Sequence, residues 1–155
     1  MDSSSLDRID RKILATLQLD GRITTTDLAD RVGLSATATA ERMKRLTRDG
    51  YILAFTAELD AEKIGLGLLV FIEVKLDKTT ADVFDSFSQA VMRSPEVLEC
   101  HMVAGGFDYL VKSRVADMSH YRQFLADVIL NLPGVRETHT YTVMENVKDT
   151  HVLPI

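Results

Sequence analysis

At 155 residues, with 46% hydrophobic and 26% charged side chains, the chain has the composition of a soluble globular protein of one or two small domains, and disorder is excluded. Its longest apolar run, residues 66–72, is far short of the ~20 residues a membrane span needs, and the first five residues are no signal peptide, so a cytoplasmic location is expected. The single Cys100 excludes an intrachain disulfide and a cysteine metal cluster, and four scattered histidines without helical pairing give no metal site.

Residues 1–5 read as a frayed tail. A helix opens at Leu6-Asp7, where Ile9, Ile13, Leu14 and Leu17 make one apolar stripe, Asp7 suits the helix N-terminus and Asp20-Gly21 stops it. Thr25 or Thr26 caps a second helix, whose Leu28, Ala29 and Val32 face Ile13 and Leu17. The third helix lies between Ser35 as N-cap and Gly50 as a left-handed stop. Its Thr39, Met43 and Leu46 form a narrow inner stripe, while Thr37, Glu41, Lys44 and Arg48 lie opposite, flanked by Arg42 and Arg45. A helix that ends at Gly33-Leu34 and is followed at once by this one leaves about 3–4 residues of turn, the spacing that sets two helices at a steep angle, so the pattern predicts a helix-turn-helix whose outer face enters a DNA major groove. A solvated surface helix is the plainer alternative, since Glu41 and Arg45 form an i,i+4 pair. Charge distribution favours DNA. Residues 8–48 carry nine Lys/Arg against five Asp/Glu, whereas residues 61–155 carry nine against thirteen, so a net charge of −5 conceals a locally basic face.

After Gly50, residues 51–59 favour an extended wing or linking strand, and residues 60–65 a helical turn. A strand at 68–76 follows, then a helix capped by Thr79 or Thr80 that turns Val83, Phe84, Phe87 and Val91 inward and ends at Ser94-Pro95. Strands at 97–104 and 109–115 flank a Gly105-Gly106-Phe107-Asp108 turn. Asp117 starts a helix with Tyr121, Phe124, Leu125, Val128 and Ile129 on its core side, Leu132-Pro133-Gly134 breaks it, and 135–143 is the last strand. This order predicts an α+β chain: an N-terminal winged helix-turn-helix over 6–66, joined by a linking strand to a ferredoxin-like βαββαβ sandwich over 67–155. Phe71, Val103, Tyr109 and Val111 are expected on an uncovered sheet face, which calls for a second copy of the chain.

An enzyme is the rival class, because such sandwiches host catalysts as well as sensors. The sequence has no G-x-S-x-G elbow, no phosphate loop and no H-E-x-x-H pair, and Gly65-Leu66-Gly67 lacks the third glycine of a nucleotide fingerprint. No catalytic residue and no cofactor are predicted. From the residues alone, the turn at 105–108 is read first as a hairpin that needs glycine for positive φ.

L-D-R-I-D-R-K-I-L from Leu6, D-L-A-D-R-V-G-L-S from Asp27, E-C-H-M-V-A-G-G-F-D-Y-L from Glu99 and L-P-G-V-R-E-T-H-T-Y-T-V-M-E-N-V-K from Leu132 resemble the leucine-responsive regulatory protein/AsnC family, its leucine-responsive branch above all. The resemblance spans residues 6–148. It implies a transcriptional regulator of amino-acid metabolism that binds double-stranded DNA through Ser35, Thr37, Ala38, Glu41, Arg42, Lys44, Arg45 and Arg48. It implies a nucleoid-associated homodimer, assembling to a tetramer or octamer, without membrane contact. It also implies a free amino acid bound between dimers near Ala104, Gly105, Gly106, Phe107, Asp108 and Tyr109, with Met102, Met118 and Tyr141 as walls; leucine is expected first, then proline or another apolar amino acid. The glycines would expose backbone N–H groups to a carboxylate, and Asp108 would meet the ammonium. The chain departs from the family at Ala36, Ala38, Thr39 and Ala40, where prolines and bulkier residues are common, a change that bears on base preference.

Overall fold

A computed structural model describes residues 6–155, so the tail expected at 1–5 lies outside the described residues. The chain divides into two compact units, one running up to Glu58 and including Lys148–Ile155, the other Leu59–Val147.

The first unit holds three helices, α1 (Arg8–Leu19), α2 (Thr25–Val32) and α3 (Ala36–Arg48). A reciprocal capping box starts α1: the Asp10 N–H donates to Asp7 Oδ1 at 2.7 Å and the Asp7 N–H to Asp10 Oδ2 at 3.3 Å. Thr24, rather than the expected Thr25 or Thr26, caps α2 by accepting from the Asp27 N–H. The apolar residue before that cap, Ile23, packs on the cluster containing Leu28, five positions on, which is the staple spacing that fixes a helix start. Gly33 closes α2 at φ 75°, and the Ser35 hydroxyl accepts from the Ala38 N–H to open α3. Ile13, Leu17, Leu28, Val32 and Leu46 form the core, with Met43 and Ile52 packed at its margin.

The linking segment 52–60 carries no regular secondary structure, and its Leu53 is 92% exposed. Its apolar residues have no cross-strand partner among the described residues, and extended segments are stabilised by such pairs. The turn at Asp60 forms as expected, with Asp60 Oδ1 accepting from the Glu62 and Lys63 N–H groups. The last residues pack on the first unit instead of continuing the 67–155 domain expected from the sequence. Gln18 holds them: its Oε1 accepts from the Leu153 N–H at 2.6 Å and its Nε2 donates to the Leu153 carbonyl at 3.1 Å.

The second unit is the expected βαββαβ sandwich: β1 (Leu68–Leu76), α4 (Ala81–Met92), β2 (Val97–Met102), β3 (Tyr109–Val115), α5 (Met118–Asp127) and β4 (Val135–Thr142). Its antiparallel sheet has the order β2-β3-β1-β4. Asp117 caps α5, accepting from the Ser119 and His120 N–H groups. The helix stops at Asp127, and a 3₁₀ turn at Ile129–Asn131 carries Ile129 into the core.

Strand parity corrects the expected open face. Val70, Ile72, Val74 and Leu76 share one side with Tyr109 and Val111, and the cluster they form includes Phe87 and Val91 of α4 and Tyr121 and Phe124 of α5. Tyr109 and Val111 are therefore buried beneath the helices; only Phe71 of the four expected residues lies on the open side, and Val103 lies beyond the end of β2. The opposite side alternates apolar and charged groups: Phe71, Glu73 and Lys75 on β1, Leu110 and Lys112 on β3, Glu137, His139 and Tyr141 on β4, and Glu99 and His101 on β2. Lys112 Nζ donates to Glu99 Oε1 at 2.8 Å, and that ammonium holds the Glu99 carboxyl below its ordinary pKa.

Candidate functional site

Helix α3 meets the rest of its unit through Thr39, Met43 and Leu46, and this burial decides which residues face outward. Thr37, Glu41, Lys44 and Arg48 are exposed along one side, with Ser35 exposed at the N-cap and Ala38 half-buried beside it. Lys44 Nζ donates to Glu41 Oε1 at 3.0 Å and Arg48 Nε to Asp49 Oδ1 at 3.0 Å, both on the surface, where such pairs are worth little and can be exchanged for a phosphate.

Arg42 and Arg45 are placed differently. Arg42 Nη1 donates to Asp7 Oδ2 at 2.6 Å and Asp10 Oδ1 at 2.8 Å, and Arg45 Nη2 donates to Asp10 Oδ2 at 2.5 Å. Asp10 is 2% exposed. The structure thus commits both guanidinium groups to joining α3 to α1, and Asp7 raises the Arg42 pKa further above its ordinary value. Sequence reading missed Asp10 as their partner. A signal existed: Asp10 precedes Ile13, Leu14 and Leu17 by three, four and seven positions, so it is an acid on the apolar stripe of α1.

At the other candidate site, the 103–108 turn is anchored through Asp108. Its N–H donates to the Val74 carbonyl at 3.0 Å, its carbonyl accepts from the Val103 N–H at 3.0 Å, and its Oδ2 accepts from the Leu76 N–H at 2.7 Å. Neither Gly105 nor Gly106 has a positive φ, and a Cβ on either would meet nothing within 4 Å. The turn therefore does not need these glycines for its conformation; what they supply is open access to the backbone.

The structure gathers only part of the expected effector set around this turn. Ala104, Gly105 and Gly106 are exposed, Phe107 and Asp108 are half-buried, and Met102, opposite Tyr109 in the β2–β3 ladder, is 59% exposed. Tyr109 turns into the core, where its ring stacks on Phe87. Met118 opens α5 beyond the other end of β3, so within one chain it does not meet the turn. Tyr141 pairs with Phe71 farther along the sheet, where the Glu73 carboxylate keeps its phenol above the ordinary pKa. A cleft of about 420 Å³ beside the turn is lined instead by Gly106, Phe107, Glu73, Lys75, Glu137 and His139. The last four were missed, because the β1–β4 register that brings them to Gly106 cannot be read from either strand alone.

Among the described residues, no helix is long and apolar enough to cross a membrane and no cluster of potential metal ligands is present.

Residues 69–153 match the Lrp/AsnC ligand binding domain, and residues 6–52 match a winged helix-turn-helix DNA-binding domain. The chain is 51% identical over 150 residues to the leucine-responsive regulatory proteins of Klebsiella pneumoniae and Escherichia coli K12, covering 97% of itself and 92% of each. Among solved structures it is similar to a transcriptional regulator of Neisseria meningitidis in complex with L-Met, with TM-score 0.92, 36% identity and 97% of both chains covered. An AsnC family transcriptional regulator of Agrobacterium tumefaciens gives TM-score 0.91 at 34% identity, covering 96% of both.

Proposed function

Because the chain belongs to the Lrp/AsnC family of transcriptional regulators, we propose that it reads double-stranded DNA with the outer face of α3 and tunes that binding through an apolar amino acid at the 103–108 turn. A regulator with a DNA-binding helix-turn-helix and an amino-acid ligand domain is its function class, and its relatives are regulators rather than enzymes. The observation that carries the DNA reading is the exposed row Thr37, Glu41, Lys44 and Arg48 on a helix whose opposite side is locked into the core. Ser35, Thr37, Ala38 and Glu41 meet base edges, Lys44 and Arg48 meet phosphate or guanine, and Arg42 and Arg45 set the angle at which α3 is presented. The DNA-reading domain comprises residues 6–66 and the sensing domain 67–155, the last residues excepted.

Leucine is the first effector, supported by the leucine-responsive relatives, and other apolar amino acids follow, methionine among them because a related regulator was solved with L-Met. The Gly105 and Gly106 N–H groups receive the carboxylate, and Asp108, one of whose oxygens is already held by Leu76, meets the ammonium. Met118 and Tyr141 reach this ligand only from another copy, in keeping with binding between dimers. The chain works as a homodimer joined through its open sheet face and assembles to a tetramer or octamer, in the cytoplasm on the nucleoid. The ligand acts by preferring one assembly, since equal affinity for both would shift nothing.

Two measurements test this reading. A gel-shift series on a half-site repeat of about 10 bp should show Arg48→Ala weakening binding and lowering the salt slope by about one if the contact is to phosphate. A thermal-shift screen of the amino acids should give a leucine response that Asp108→Asn weakens by about 1.5–3 kcal/mol, while the amide oxygen still accepts from Leu76. Unchanged DNA binding in the Lys44→Ala/Arg48→Ala double variant removes this face of α3 from the interface. Unchanged leucine binding in Asp108→Asn removes the turn.

A further inference from the structure

Tyr109 carries a hydroxyl that neither the core nor the effector turn uses. Its ring stacks on Phe87 with centroids 4.3 Å apart and meets Phe84 edge-on at 6.1 Å. The residue is 4% exposed, and its buried oxygen has no hydrogen-bond partner among the described residues. Ser88 is the polar neighbour closest to serving it, yet its hydroxyl stands outside hydrogen-bond geometry. Buried tyrosine hydroxyls ordinarily find a partner, so an unpartnered one on a residue that lines a cleft points to a group that reaches it from there.

That space is a cleft of about 500 Å³ between α4 and the edge strand β2. Val91 and Leu98 form apolar walls, Met92 stands 86% exposed near its mouth with an adaptable thioether, and Cys100 shares the inner wall with Tyr109. No lysine, arginine or histidine lines it, and its single acid, Glu99, is engaged by Lys112 and His101. An anion would find no counter-charge here and an ammonium no free carboxylate. An uncharged ligand is what remains.

We propose that this cleft is a second small-molecule site, separate from the turn at 103–108, which takes an uncharged branched apolar molecule bearing one carbonyl or amide oxygen. The Tyr109 hydroxyl donates to that oxygen, and the apolar body lies against Val91, Met92 and Leu98. Burial pushes the Cys100 thiol up to about 11 and the Tyr109 phenol above its ordinary value, so both stay protonated at neutral pH and the phenol remains a donor. The cleft is open along one side, and its volume falls within the range of small-molecule pockets, about 300 to 1,000 Å³.

The test uses the full chain with ¹³C-methyl methionine, the Met92 signal being assigned by Met92→Leu. Three probes share one branched chain and differ in charge: isovaleramide is neutral, isovalerate anionic and leucine zwitterionic. Isovaleramide should move the Met92 methyl saturably. Tyr109→Phe keeps the ring stack and should weaken that binding by about threefold to tenfold, the loss of one hydrogen bond. Ser88→Phe, a change at an exposed rim position, should close the mouth and abolish it. Asp108→Asn should leave it unchanged, so failure here and failure at the turn are distinguishable. The proposal is overturned if isovaleramide moves no Met92 signal up to its solubility, which means that water alone fills the cleft. It is equally overturned if isovalerate or leucine binds there more tightly than the amide, or if Tyr109→Phe binds isovaleramide as tightly as the wild type.

Discussion

The two units solve the same problem, holding helices at a fixed angle, by different means. In the second, thirteen buried residues, apolar but for the Tyr109 and Tyr121 hydroxyls, weld α4 and α5 to one side of the sheet. In the first, five of the described residues do so, and a buried carboxylate adds what hydrocarbon does not: Asp10 of α1 grips Arg42 and Arg45 of α3. Apolar burial is non-directional and large, whereas a charge-assisted pair is directional and modest in net value. A small unit that must present α3 at one angle gains more from direction. A unit that must keep two helices packed on a four-stranded sheet gains more from a thick apolar core.

Removing the central element of each unit should separate the two strategies. Phe87→Ala deletes a fully buried ring under Tyr109 and should cost the second unit about 3–5 kcal/mol, with little change in the first. Amide exchange read separately at Val111 and Leu28 measures both. Equal loosening of the two units would show that they unfold as one. Asp10→Ala strands two guanidinium groups and should cost the first unit about 2–3 kcal/mol, less than a fully buried pair because both arginines keep access to water. It should also weaken DNA binding while leaving the salt slope unchanged, since α3 is tilted but none of its outward cations is lost. A lowered slope would return Arg42 and Arg45 to the DNA contacts first expected of them.

How much of this was legible follows the same division. Helix ends were readable because caps are local: Ser35, Gly50 and Asp117 stand where expected, and Thr24 was displaced only because the Ile23–Leu28 staple was not weighed. The order βαββαβ was readable from period changes. The sheet's inner face was not, because residues 68–72 are apolar on both parities and a register shift near Val97 reorders β2 against β3. The outer face of α3 was legible as far as Thr37, Glu41, Lys44 and Arg48. Arg42 and Arg45 were not, since a long guanidinium can turn back over its own helix and only the partner, Asp10, says which way. Near the turn, Glu73, Lys75, Glu137 and His139 depend on cross-strand register, and Met118 opens α5 beyond the far end of β3, a placement that sequence spacing alone does not give.

A smaller effect concerns the tail. Gln18→Ala removes both hydrogen bonds to Leu153 and should release the last residues at a cost of about 0.5–1 kcal/mol or less, as for an exposed amide. Faster exchange of the Leu153 amide without change at Ile13 is the expected reading. If Ile13 also exchanges faster, the tail belongs to the core of the first unit rather than resting on it.

The smallest effect is a dependence on acid confined to one helix start. The Asp10 N–H donates to the Asp7 carboxylate and Arg42 pairs with it, and both favour the anion, so the Asp7 pKa lies below its ordinary 3.8. A carboxyl whose folded pKa is lowered contributes its full stability above the unfolded value and loses it as the pH falls through the folded one. The first unit should therefore loosen at α1 as the pH drops from about 5 to 3. Glu99 beside Lys112 and Asp117 at the start of α5 are lowered too, so the second unit also softens in acid, and the bare trend does not separate the units. Asp7→Asn does. Asparagine still accepts from the Asp10 N–H as a good N-cap but does not titrate. Amide exchange at the start of α1 should then lose its slope over that range, while the start of α5 keeps its own. Parallel slopes in wild type and variant would mean that Asp7 carries none of the acid sensitivity at the start of α1.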